Sequence, residues 1–283
     1  MSTLPYLDQH FDWQTPEVVF AYDEFPLWSA APGLMLLNQI DYSKGSTVLD
    51  IGFGTGFPLL TLARRFGPDA RIIGLDVWKE AIERTRQKIQ ITNLPQVELI
   101  QANAEEIPLP DNSVDIITSN LGINNFAQPK AVIQGCFRVL KPGGILYLSS
   151  NLVGTFEEFY QVFIASLENL ELQASRDKVI QHMGARATLQ GVTHLFESAH
   201  FDLIRVEEQV SHQKYADGTA FFHDYFTIMS FLPTWKTMVP PQHLRTVFEQ
   251  VELRLNQLAQ ANGGLLLSIP LAAFSFQKRP NLT

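Results

Sequence analysis

Val48-Leu-Asp-Ile-Gly-Phe-Gly-Thr-Gly56 decides the fold. Thr47 to Ile51 is a short β-branched and apolar run, which predicts a buried strand. The glycines at 52, 54 and 56 follow at once. Pro58 to Phe66 is helical in composition, with Pro58 near the start and Gly67-Pro68 as stop signals. A glycine-rich turn between a strand and a helix lets the backbone approach a ligand closely.

Working outward, Arg71 to Leu75 reads as a second strand ending at Asp76. Trp78, Ala81, Ile82, Thr85 and Ile89 recur at helical spacing, and Asn93 can cap that helix. Val97 to Ala102 and Val114 to Ser119 read as further strands. Ala131 to Leu140 reads as a helix closed by a turn at Lys141-Pro-Gly-Gly144, and Ile145 to Ser149 as a fifth strand. Strands alternating with helices imply an α/β fold whose parallel sheet is covered on both faces. Further on, Thr188 to Ala199 reads as a helix and Phe201 to Val210 as a strand. Gly264 to Gln277 reads as a last strand, with Pro270 pointing to a bulge or an edge.

The expected organisation is one α/β domain with three additions. Residues 1–44 form an N-terminal arm or lid carrying Phe11, Trp13, Phe20, Tyr22, Phe25 and Trp28. Residues 45–150 are the cofactor-binding core, 151–187 a lid insertion and 188–214 the core continuation. Residues 215–262 are a substrate-lid insertion, and 263–283 the final core strand and tail. Within 215–262, Leu244, Val247, Phe248, Val251, Leu255 and Leu258 form one helical stripe.

The spacing of the glycines is GxGxG. A dinucleotide fingerprint would place its third glycine at position 57, which is Phe57. This disfavours a nicotinamide-dependent oxidoreductase, and the GxxxxGK[ST] phosphate loop is absent too. Asp50 sits two residues before the first glycine. A carboxylate there repels a pyrophosphate but suits a ligand bearing an ammonium or sulfonium charge. Asp76 ends the second strand, where a carboxylate can accept two hydrogen bonds from a ribose diol.

With Gly74-Leu-Asp76, Arg138-Val-Leu-Lys-Pro-Gly-Gly144 and Asn103-Ala-Glu-Glu-Ile-Pro-Leu-Pro-Asp-Asn-Ser-Val-Asp115, the quoted stretch resembles class I S-adenosylmethionine-dependent methyltransferases. The likeness is greatest to the ubiquinone/menaquinone-biosynthesis-like (methyltransferase type 11) branch, and covers roughly residues 45 to 150. It implies a Rossmann-like, doubly wound, mostly parallel seven-stranded sheet with helical lid insertions. It also implies S-adenosyl-L-methionine as cofactor and S-adenosyl-L-homocysteine as product. By this resemblance Gly52, Gly54 and Gly56 line the methionine part, and Asp50 faces its amino group, directly or through water. Asp76 holds the ribose hydroxyls, and Val77 or Trp78 packs on the adenine face. Asn103 and Ala104 meet the adenine edge, with Ser119 and Asn120 beside the methionine moiety. The family usually has Asp where Asn103 stands, but an Asn side-chain oxygen also accepts a hydrogen bond from an amino group.

Methyl transfer from a sulfonium is an in-line displacement, so a protein mainly aligns donor and acceptor, and needs a base only if the acceptor loses a proton. In an open parallel sheet the acceptor pocket opens at the C-terminal strand ends. Leu121 to Phe126, with Asn124 and Asn125, therefore border the expected site, and Tyr22 and Trp28 of the arm are candidates to close it. Seven aromatics fall between 215 and 235: Tyr215, Phe221, Phe222, Tyr225, Phe226, Phe231 and Trp235. They can wall a small apolar or aromatic substrate, with Phe222 and Tyr225 as candidates, or form the insertion's own core. His223 is the candidate base, ahead of His182, His194, His200 and His212.

The expected function is methyl transfer to an oxygen or carbon of a small apolar or aromatic molecule. The alternative is a non-catalytic S-adenosylmethionine-binding accessory or regulatory protein. Twenty-one basic against 29 acidic residues give a net charge of −8. With no Asn-Pro-Pro-Tyr or Asp-Pro-Pro-Tyr motif after the fourth strand, this argues against a nucleic-acid acceptor. The one cysteine, Cys136, excludes an intrachain disulfide and a cysteine-cluster metal site, and reads as core. No metal site, no membrane span and a cytoplasmic setting are expected, and a homodimer is open.

Overall fold

The computed structural model describes residues 4–24 and 27–279; Phe25 and the last four residues of the tail lie outside them. The chain starts with a short 3-10 turn, Pro5–Asp8, then α1 (Pro16–Asp23) and α2 (Leu27–Gln39). The expected alternation follows as β1 (Thr47–Ile51), α3 (Leu59–Phe66), β2 (Arg71–Asp76), α4 (Lys79–Thr92), β3 (Val97–Gln101) and β4 (Val114–Asn120). Next come α5 (Pro129–Val139), β5 (Leu140–Asn151), α6 (Glu157–Asn169), α7 (Gln173–Gly184), α8 (Leu189–Glu197) and β6 (Phe201–Tyr215). The chain closes with α9 (Gly218–His223), α10 (Tyr225–Ser230), α11 (Leu232–Thr237), α12 (Leu244–Asn262) and β7 (Leu265–Lys278).

The seven strands lie in the order β3-β2-β1-β4-β5-β7-β6. The ladders from β3 to β5 are parallel, and β7 runs antiparallel to β5. This is the Rossmann-like, mostly parallel seven-stranded sheet. Its strands obey local chemistry. All of β1 after Thr47 is buried, as a central parallel strand requires. Gly67, at φ 81°, ends α3, and Asn93, at φ 51°, ends α4 in the left-handed conformation that Asn tolerates. A Cβ on Gly74 would stand 2.6 Å from a Leu59 methyl and 2.7 Å from the Phe53 ring, so β2 packs directly under the loop and α3.

Two local expectations change. Lys141-Pro-Gly-Gly144 does not separate α5 from the fifth strand. Val114 pairs with Leu140 and Ile116 with Ile145, so those four residues bulge out of a longer β5. Pro270 is not on an edge strand. It lies just beyond the last β5–β7 pair, Asn151 with Leu271, so its missing N–H interrupts no rung of that ladder.

The chain divides into two compact units. The sheet unit comprises the described residues of 13–151, 187–209 and 271–279. Its core joins Leu36 and Leu37 of α2, Val48, Phe53, Leu59, Leu62, Ile72, Ile82 and Tyr147. The helical unit comprises residues 4–12, 152–186 and 210–270. Phe159, Phe163, Phe221, Phe222, Trp235 and Phe248 are fully buried within it. The first 44 residues thus divide between the units, with Tyr6 in one and α1 and α2 in the other.

Candidate functional site

Within the sheet unit, the turn after β1 carries three left-handed glycines, with φ of 77° at Gly52, 53° at Gly54 and 109° at Gly56. They differ in what a side chain would meet. A Cβ on Gly54 would touch nothing within 4 Å, and one on Gly52 only the Gly122 Cα at 3.8 Å. One on Gly56 would collide with Leu60 Cδ1 at 2.9 Å. Gly52 and Gly54 thus keep open space beside bare backbone, whereas Gly56 lets α3 pack close.

Asp50 is fully buried at the base of this turn. Its Oδ1 accepts a hydrogen bond from Thr118 Oγ1 at 2.7 Å, and Asp50 pairs in register with Thr118 on β4. Its Oδ2 is buried with no hydrogen-bond partner among the described residues. Burial, and secondarily the Asp76 charge, push this carboxyl up to about 7, against the opposing pull of Thr118 and the Leu59 backbone. A buried carboxyl oxygen with no donor is a vacant acceptor, complementary to an ammonium group.

Asp76 holds the turn to the next helix. Its Oδ2 accepts from the Gly54 amide at 2.7 Å and its Oδ1 from the Trp78 amide at 2.9 Å. Each oxygen keeps a second lone pair. Val77 beside it is 61% exposed, a large apolar side chain left outward. Trp78 sits at the N-cap of α4, and its indole N–H donates to the Trp13 carbonyl at 2.8 Å. Trp13, Tyr22 and Trp78 meet edge to face, with centroids 5.3 to 5.8 Å apart. Burial first, then the charges of Asp76 and Asp23, push the Tyr22 phenol up.

The remaining candidates are largely engaged in structure. Asn103 Oδ1 caps the following 3-10 turn by accepting from the Glu105 amide at 3.1 Å, and Ala104 is buried. Ser119 Oγ donates to the Ile51 carbonyl at 2.9 Å. Asn120 Nδ2 donates to the Ser29 carbonyl at 3.0 Å, while its Oδ1 accepts from Ser149 Oγ at 2.6 Å. Asn120 therefore ties β4 and β5 to the first turn of α2, next to half-buried Trp28. Asn124 and Asn125 are exposed on the turn Gly122–Asn125. Asn124 Oδ1 accepts from Ser150 Oγ at 2.8 Å, and its Nδ2 donates to Asn151 Oδ1 at 2.5 Å.

Sequence reasoning missed the latch around α1. Asp23 accepts from Arg84 Nε at 2.8 Å and from Lys88 Nζ, and Lys88 also donates to the Thr55 carbonyl at 2.8 Å. Burial alone would raise the Asp23 carboxyl, but its hydrogen bonds to Lys88, Arg84 and Thr55 hold it below the usual range. Thr85 Oγ1 donates to the Gly54 carbonyl at 3.1 Å. No spacing links Asp23 to Lys88, which lie 65 residues apart. Thr118 was legible in principle, because aligning β1 with β4 sets it opposite Asp50.

Within the helical unit, Phe222 is fully buried and stacked on Tyr6 with centroids 4.8 Å apart. Tyr225 is half-buried against Phe11. His223 is exposed, and its Nδ1 lies 2.8 Å from the Thr219 carbonyl oxygen. Donation to that carbonyl fixes the tautomer and leaves Nε2 as the basic nitrogen. Asp224 accepts from the Tyr215 hydroxyl at 2.8 Å and forms no hydrogen bond with His223. Among the described residues no cluster of His, Cys, Asp and Glu could hold a metal ion, and no helix is long and apolar enough to cross a membrane.

Residues 42–178 match the family described as Methyltransferase domain. A demethylmenaquinone methyltransferase of Listeria welshimeri is 37% identical over 122 residues, which are 43% of this chain and 52% of that protein. The chain thus spans about half the length of this curated relative. A SAM-dependent methyltransferase from Aquifex aeolicus superposes with a TM-score of 0.53 at 23% identity, over 70% of this chain and 92% of that one. Phosphoethanolamine N-methyltransferase 2 of Haemonchus contortus, in complex with S-adenosyl-L-methionine, superposes with a TM-score of 0.58 at 15% identity, over 99% of this chain and 61% of that one. These two likenesses concern the fold.

Proposed function

We propose that this chain, whose residues 42–178 are a class I methyltransferase domain of the S-adenosylmethionine-dependent type, transfers a methyl group to an oxygen or carbon of a small apolar or aromatic molecule. The observation that carries the reading is Asp50 Oδ2, a buried acceptor with no donor beneath glycines that leave their backbone bare. That arrangement fits the cofactor. Asp50 takes its amino group and Asp76 its ribose hydroxyls, through the lone pairs that Gly54 and Trp78 leave open. Val77, Trp78, Asn103 and Ala104 border the adenine. Gly52, Gly54 and Gly56 lie along the methionine part, with Ser119 and Asn120 holding that wall in place. The cofactor supplies a methyl group on a positively charged sulfur, already activated for in-line displacement. The protein's contribution is alignment and exclusion of water.

The acceptor class is a phenol- or quinol-like ring. The named Listeria relative supports this choice, as does the absence of a basic surface run. Such a ring is methylated more readily once its hydroxyl proton is removed, and His223, through Nε2, is the base we assign. Asn124, Asn125, Tyr22 and Trp28 are the residues we assign to the acceptor side; Phe222, fully buried against Tyr6, and Tyr225, packed on Phe11, belong to the helical unit's own packing.

The test incubates purified protein with methyl-labelled S-adenosylmethionine and fractionated cell extract, and follows the label by mass spectrometry. Label in one organic-soluble aromatic product is expected. Label in nucleic acid or protein would refute the acceptor class. Cofactor binding without transfer to any fraction would favour a non-catalytic role.

A further inference from the structure

The helical unit holds a group of hydrogen-bond donors without acceptors. Tyr160 of α6 is fully buried, and its hydroxyl oxygen accepts from Trp235 Nε1 at 3.0 Å and from Arg186 at 3.3 Å. The hydroxyl's own proton meets no acceptor among the described residues. Arg186 Nε is buried and has no partner either. No carboxylate pairs with Arg186 among the described residues. The guanidinium carbon lies 6.0 Å from the Tyr160 ring centroid, and the His182 ring 5.9 Å from it. Burial, and then the Arg186 charge, push His182 down, as a cation without a counter-ion nearby would do. Arg186 and His182 both keep part of their surface in solvent, so a ligand can reach them.

A half-buried guanidinium that lacks a counter-charge is costly, and its forked donors match the oxygens of a carboxylate or phosphate. We infer that Arg186, Tyr160 and His182 form a binding site for an oxyanion, a carboxylate or phosphate group on a small molecule. The site is independent of the methyl-transfer reading, and its test needs neither cofactor nor acceptor.

The indole N–H of Trp235 reports on the site, because it bonds the Tyr160 hydroxyl directly. The experiment records the Trp235 indole signal in nitrogen-15-labelled full-length protein while benzoate, and separately inorganic phosphate, is titrated. A saturable shift is expected, with the affinity about tenfold lower in Arg186→Met, the loss of a charged, forked contact. Arg186→Lys keeps the charge but loses the fork, and is expected to weaken binding several-fold; it serves if Arg186→Met does not fold. Saturation by benzoate alone assigns a carboxylate ligand, and by phosphate alone a phosphoryl ligand. No shift with either probe, or equal affinity in the Arg186 variants, overturns the site.

Discussion

If Asp50 takes the cofactor's amino group, as proposed, cofactor binding is coupled to pH. An aspartate in an unfolded chain titrates near about 4, whereas burial holds Asp50 at about 7 in the fold. Between those values the folded protein keeps a proton that the unfolded chain has lost. The contribution of Asp50 to stability therefore falls as pH rises through that window. Binding runs the other way, because only the ionised carboxylate pairs with an ammonium. Affinity for S-adenosylhomocysteine should rise as pH passes about 7, then decline at higher pH, where the ligand's own α-amino group loses its proton. Calorimetric titration across pH checks this, and Asp50→Asn should flatten the lower limb. Asp76→Ala should cost about 1.5–3 kcal/mol of affinity for the same ligand, the value of hydrogen bonds to a charged group. Unchanged affinity would place the ribose elsewhere. His223→Ala should lower kcat with the true acceptor and leave S-adenosylhomocysteine affinity unchanged; equal turnover removes His223 as the base. The two aspartates were legible because each stands at a fixed offset from a strand end. Thr118, opposite Asp50, was legible only by aligning β1 with β4, and the Trp78–Trp13 contact beside Asp76 was not legible, since it joins distant stretches of chain.

At the scale of elements, the turn after β1 separates two uses of glycine. Gly54→Ala meets no atom, so its cost is the left-handed backbone alone, about 1–2 kcal/mol. Gly56→Ala adds the collision with Leu60 and should destabilise more. Cofactor affinity should respond in the opposite order, Gly54→Ala losing more of it per unit of stability. Thermal unfolding and ligand titration of both variants check the pair. Helix α1 depends on Asp23, whose side chain is only 8% exposed between Arg84 and Lys88. Asp23→Asn should speed hydrogen exchange in α1 and leave exchange in β1 unchanged. Of these elements, the alternation from β1 to β5 was readable from hydrophobic runs and turn residues. The long β5 was not, because Lys141-Pro-Gly-Gly144 has the chemistry of a turn, and its strand neighbours alone make it a bulge.

At the scale of the whole molecule, the aromatic run in the second half is a core. Phe222→Ala should cost about 3–5 kcal/mol of stability, as for other buried phenylalanines, and leave S-adenosylhomocysteine affinity unchanged. Denaturant unfolding with a parallel ligand titration reads both quantities. The sequence by itself determined the parallel α/β core, the glycine turn after β1 and the carboxylates beside it, because strand period, glycine and residue offset are local properties. Tertiary structure alone decided that α1 and α2 join the sheet unit and that residues 4–12 pack with 152–186 and 210–270. It alone decided that, among the described residues, Asp50 Oδ2 is left without a donor and Arg186 without a counter-ion. Burial and partnership depend on which side chains meet across tens or hundreds of residues, and no local pattern encodes that meeting.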